Sequence, residues 1–165
     1  MANPPIVIGP FSTVPAPGSA MRSDWPQEIT TDMVALLDRQ PRRFSVNGSA
    51  GTSGGTFANI QALTLPAQPV AGMVYLWSFL RLDIGTITGA YLVNLKAGAT
   101  DLASMRLSTA SSVNTFTLTA SHPAPANVAF NANVAGAGTA NVTTYAGPLT
   151  NRLDALWIAD PFVAN

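Results

Sequence analysis

From Phe57 to the C-terminus the chain is broken at short intervals by turn residues, and this spacing restricts the fold more than any other feature. Pro66 with Pro69, Gly85, Gly98, Ser111-Ser112, Pro123 with Pro125, Gly136 with Gly138, and Gly147-Pro148 separate runs rich in Val, Thr and aromatic residues. Side chains of those types fit a pleated, half-buried surface. Short runs at such spacing belong to a sandwich or a barrel. The pattern predicts strands near 57–65, 73–82, 86–95, 102–108, 113–120, 127–134, 139–145 and 153–159. The expected fold is therefore all-β, a jelly-roll-like β-sandwich of about eight strands.

Two of these runs show their faces. Between Val113 and Ser121, Asn114, Phe116, Leu118 and Ala120 alternate with Val113, Thr115, Thr117, Thr119 and Ser121. Successive strand residues point to opposite sides, so one face is core and the other a Thr/Ser surface. The run 73–82 is apolar on both sides, with Met73, Tyr75, Trp77 and Phe79 against Val74, Leu76, Leu80 and Leu82. An exposed face that apolar would be a liability, so the run is expected to be central in its sheet or at a subunit interface. Tyr75, Trp77 and Phe79, with Trp157 from the similar run 153–159, are the expected oligomer interface.

The chain before Phe57 reads differently, in three parts. Residues 1–23 are an extended arm: five prolines (Pro4, Pro5, Pro10, Pro15, Pro17) fix φ and push their predecessors toward extended geometry. Ile6, Val7, Ile8, Phe11 and Val14 are too apolar for a solvated tail, so they are expected to dock in a partner. Residues 24–43 hold one short helix, with Trp25, Ile29, Met33, Leu36 and Leu37 on a stripe. Asp24, Glu28 and Asp32 suit its N-terminal half, and Pro41 ends it. Trp25 is grouped with the arm as an anchoring residue. Residues 44–56, through Asn-Gly-Ser-Ala-Gly-Thr-Ser-Gly-Gly-Thr, have flexible linker chemistry. Residues 57–165 form the sandwich.

Charge limits the function classes. Only 10% of residues are charged and the net charge is zero, against about 25% charged in an ordinary soluble domain. So few ionic groups imply that copies or partners cover part of the surface. Neutrality argues against nucleic acid, which needs clustered Lys and Arg. Absence of cysteine removes disulfides and thiolate metal sites. The start lacks the basic region of a secretory leader. The longest apolar stretch, Val70 to Leu80, falls short of the ~20 residues that cross a bilayer, so no membrane insertion is expected.

No constellation carries catalysis. His122 is the sole histidine, and no acid lies between Leu107 and Asn151 to orient it. Asp83, Asp101, Asp154 and Asp160 are too dispersed for an evident metal site. Asp24, Glu28 and Asp32 read as a solvated helix face rather than paired catalytic carboxylates. Gly51, Gly54 and Gly55 lack the Lys of a phosphate loop. Lys96, Arg81, Asp83 and Arg106 are rare strand charges, solvent-facing or paired between subunits. Neither an enzyme nor a cofactor is expected.

The run Pro15-Ala16-Pro17-Gly18-Ser19-Ala20-Met21-Arg22-Ser23-Asp24-Trp25 resembles the opening of minor tail, fibre-like and decoration proteins of actinobacterial phages. The resemblance implies a virion protein whose first 43 residues attach to other virion proteins and whose β domain is displayed, often as a homotrimer. The chain has no heptad, collagen-like or β-helix repeat, so it would be a short fibre or decoration component. A second expectation is a carbohydrate-binding module for host surface glycan, with Tyr91, Tyr145 and Trp157 as stacking rings.

Overall fold

The computed structural model describes residues 25–48, 51–53, 58–108, 111–144 and 151–160. Among these residues one helix, α1 (Trp25–Leu37), precedes eight strands: β1 (Arg42–Asn47), β2 (Gly51–Ser53), β3 (Ala58–Leu65), β4 (Gly72–Ala97), β5 (Thr100–Leu107), β6 (Ser111–Ala124), β7 (Phe130–Thr144) and β8 (Arg152–Ala159). All their pairings are antiparallel. The result is an all-β sandwich of two sheets, as the strand spacing predicts.

Strand β4 organises both sheets. Its 26 residues far exceed the usual 3–10. The first half pairs with β6 on one side and β8 on the other, and β8 pairs with β1. The second half pairs with β5 and β7, and β7 pairs with β3. The order is thus β1-β8-β4-β6 in one sheet and β3-β7-β4-β5 in the other, with β2 along the end of β7.

The inward row of β4 changes parity between the halves. Val74, Leu76, Ser78, Leu80 and Leu82 are buried in the first, Tyr91, Val93 and Leu95 in the second. The pairing register shifts between Ile84 and Ile87 and again between Ile87 and Tyr91. An irregularity in a ladder re-aims the side chains beyond it. Gly138 of β7 lies opposite Tyr91 with φ near +155°, a conformation open to glycine and strained for other residues.

The core lies between the sheets. Leu63 and Leu65 from β3, Leu118 from β6, Val134 from β7 and Leu153, Ala155 and Trp157 from β8 meet the two β4 rows there. Two polar groups inside are satisfied: Ser78 Oγ donates to Gln61 Oε1 at 2.6 Å, and Gln61 Nε2 donates to the Phe79 carbonyl at 2.9 Å. On β6, Phe116, Leu118 and Ala120 point inward while Thr115, Thr117, Thr119 and Ser121 are exposed, as the alternation predicts.

Three expectations change. The stretch 44–56 holds most of β1, which begins at Arg42, and all of β2. Phe44 and Val46 alternate inward and pack on the core, a period-two signal that the glycines and serines mask. The sandwich accordingly begins at Arg42, before the expected residue 57. The breaks at Gly85 and at Gly136 with Gly138 are interior to β4 and β7, because glycine accommodates a bulge as readily as a turn. The helix ends at Leu37; beyond it Arg39 and Gln40 donate to the Leu36 and Leu37 carbonyls in a tightened turn.

Candidate functional site

The outer face of the first sheet carries the most distinctive cluster of side chains. With Val74, Leu76 and Leu80 turned inward, β4 presents Tyr75, Trp77 and Phe79 outward. Tyr75 is 45% and Phe79 39% exposed, and Trp77 is half-buried. Rings on alternate residues of a strand stand ~6.6–6.8 Å apart.

Each ring lies between a hydroxyl and a β8 side chain. Tyr75 pairs with Ser121 and Leu156, Trp77 with Thr119 and Asp154, Phe79 with Thr117 and Arg152. On the β8 side a charged cluster holds the rings. Asp154 is fully buried and accepts hydrogen bonds from Arg152 Nε at 2.6 Å and Arg43 Nη2 at 3.3 Å. The Arg43 guanidinium sits 5.9 Å from the Trp77 ring centroid and that of Arg152 5.6 Å from Phe79, within cation–π range. On the β6 side the surface opens into a groove of about 530 Å³, lined by Tyr75, Leu76, Trp77, Thr119, Ala120 and Ser121.

The expected site residues separate. Tyr75, Trp77 and Phe79 share one surface. Trp157 does not join them, since it is fully buried between the sheets. It therefore belongs neither to an oligomer face nor to a glycan platform. Tyr91 is also fully buried, because the β4 register shift turns it inward, and it cannot stack on a sugar. Tyr145 and the arm residues Ile6, Val7, Ile8, Phe11 and Val14 lie outside the described residues; Trp25 opens α1, but its side chain is not among those described.

His122 is half-buried at the end of β6. Its Nδ1–H donates to the Pro123 carbonyl at 2.7 Å, and its ring lies 5.7 Å from that of Phe130. Lys96 pairs with Asp101 at 3.1 Å within the β4–β5 hairpin. Among the described residues no three of His, Asp and Glu gather as a metal site would require.

Sequence reasoning passed over Thr119, Ser121, Arg43, Arg152 and Asp154 as members of this surface. The signal available was the Arg152–Asp154 spacing, which puts both on one strand face, and the Thr/Ser row of β6. Pairing the strands was the missing step.

No protein-family model matches the chain, and no curated protein does. Among solved structures, it is similar to part of dimeric latent PorU from Porphyromonas gingivalis, with a TM-score of 0.50 and 11% identity over 73% of this chain. The chain spans 13% of PorU's length. A weaker likeness is to infectious bursal disease virus, Gx strain, with a TM-score of 0.38 and 9% identity over 75% of this chain and 33% of that one. Another is to the C-terminal domain of EclA, a sugar-binding protein, with a TM-score of 0.30 and 21% identity over 71% and 76%. The PorU likeness concerns the fold alone; the other two carry no argument.

Proposed function

We propose that the protein is a non-enzymatic structural component of a phage virion, a short fibre or decoration element. Residues before Arg42 attach and assemble it, and the sandwich is displayed. The observation that carries this reading is the helix surface: Met33, Val34, Leu36 and Leu37 are 57%, 51%, 50% and 54% exposed. A 13-residue helix is marginal in water by itself and draws its stability from packing an apolar face. These side chains stay exposed beside the described sandwich, which supports assigning their cover to another chain.

Two further features support the reading. The turn after α1 is tied to the end of the sandwich, where Arg39 Nη1 donates to the Asp160 carbonyl at 3.0 Å. A helix held at one end of a domain suits a base. The run from Pro15 to Trp25 that resembles phage tail and decoration proteins leads directly into α1. Copies of this chain about a threefold axis are the proposed occupants of the helix face, and the arm is assigned to another virion protein.

The test is solution mass by light scattering. The full chain is expected to be an oligomer, and Leu36→Glu with Leu37→Glu to reduce it to a monomer that keeps its sheet signal in circular dichroism. A monomeric wild-type chain would overturn the self-assembly reading.

A further inference from the structure

We propose that the groove between β4 and β6 binds a neutral saccharide, with Tyr75 and Trp77 as the stacking platform and Thr119 and Ser121 as the hydroxyl contacts. This goes beyond the assembly role, which rests on α1, and it uses rings other than the buried Tyr91 and Trp157.

The chemistry of the groove selects the ligand. A pyranose has an apolar face of C–H bonds and a rim of hydroxyls. An aromatic ring suits the first, with a large rigid surface of negative potential. A Ser or Thr hydroxyl suits the second, because it both donates and accepts. The sheet sets these side by side: Tyr75 is the register partner of Ser121 and Trp77 of Thr119, and directly opposed strand residues lie ~4.5–5.5 Å apart at Cβ. Thr117 beside Phe79 repeats the arrangement one step along.

The groove itself carries no charged side chain, which suits a neutral ligand. β6 carries no Asp, Glu, Lys or Arg, and none lines the groove. The two nearby arginines are committed to the buried Asp154 carboxylate. Their guanidiniums also lie over Trp77 and Phe79, which limits the rings' freedom before a ligand arrives; such preorganisation lowers the entropic cost of binding.

A second copy of the chain fits the same surface poorly. The buried centre of a protein interface is depleted of charge, whereas this ring row is flanked by the Arg43–Asp154–Arg152 cluster. A protein surface laid over Thr117, Thr119 and Ser121 would also strip their hydroxyls of water, and any left unmatched would oppose binding. A sugar brings its own hydroxyls.

The experiment is affinity electrophoresis of the full chain through gels containing, separately, a neutral β-glucan, an α-glucan, a mannan and a galactan. At least one is expected to retard the protein. Trp77→Ala and Tyr75→Ala should each weaken that retardation at least tenfold, and Thr119→Val, which keeps shape and removes the hydroxyl, several-fold. Trp77→Phe should retain most of the binding, which separates loss of the ring from loss of the fold. Light scattering on the same variants should return the wild-type mass. Retardation by none of the four, retardation indifferent to Trp77→Ala, or a Trp77→Ala variant of lower mass with unchanged retardation would overturn the proposal; the last result would assign the face to a second copy.

Discussion

Gly136 of β7 lies against the ring of Tyr91 in β4: a Cβ added at Gly136 would stand 2.7 Å from Tyr91 Cζ and 2.8 Å from Cε1. Both atoms belong to a rigid ring that is itself fully buried, so neither can swing away. Gly136→Ala is therefore expected to destabilise the sandwich by about 1–3 kcal/mol, the usual cost of overpacking a core. Urea denaturation checks this, and Gly98→Ala is a useful contrast. A Cβ at Gly98 would meet nothing, so its cost reflects only the positive φ of 56°.

Two tryptophans on adjacent strands should behave in opposite ways. Trp157 faces the core and is fully buried, while Trp77 faces outward. Trp157→Ala should cost about 3–5 kcal/mol through lost burial and the cavity left behind. Trp77→Ala should cost about 1 kcal/mol, near the range of surface substitutions. Thermal or chemical denaturation of both variants measures the difference. Equal costs would contradict the inward and outward assignment of β8 and β4.

The Asp154 cluster should matter more than a surface pair. Asp154 is buried, and its arginine partners Arg43 and Arg152 retain 60% and 30% side-chain exposure. Asp154→Asn keeps the shape and removes the charge, and is expected to cost about 1.5–3 kcal/mol, as for hydrogen bonds to charged groups. Asp101→Asn, which breaks the exposed Lys96 pair, should cost at most about 1 kcal/mol. Comparing the two denaturation midpoints tests the ranking.

The domain boundary can be tested by truncation. A chain starting at residue 44 loses the first two positions of β1, which pair with Trp157 and Leu156, and with them the Arg43–Asp154 contact. A chain starting at residue 40 keeps all of these. The longer chain is expected to melt at least about 4 °C higher, the shift that ~1 kcal/mol produces in a domain of this size. Equal melting temperatures would return β1 to the role of a linker.

Much of this fold is legible in residue order, and the gaps have physical causes. The Thr/Ser row of β6 declares its outer face because the opposite row is apolar. β4 does not declare its own, since both rows are apolar through Leu82. Ser78 even points the wrong way: it sits in the inner row, made tolerable there by Gln61. Trp157 and Tyr91 could not be placed because burial depends on register, and the register shifts in β4 follow from pairing with β7. Phe44 and Val46 alternate visibly, but the glycines and serines after Asn47 outweigh them. The aromatic row was visible as a surface; its hydroxyl and arginine flanks were not, because they come from three other strands.

In the proposed assembly α1 joins the copies and the sandwich does not. Light scattering on the full chain and on its Leu36→Glu/Leu37→Glu variant tests it most directly. An oligomer is expected for the first and a folded monomer for the second. An oligomer of unchanged mass in the variant would contradict it and move assembly to the sandwich.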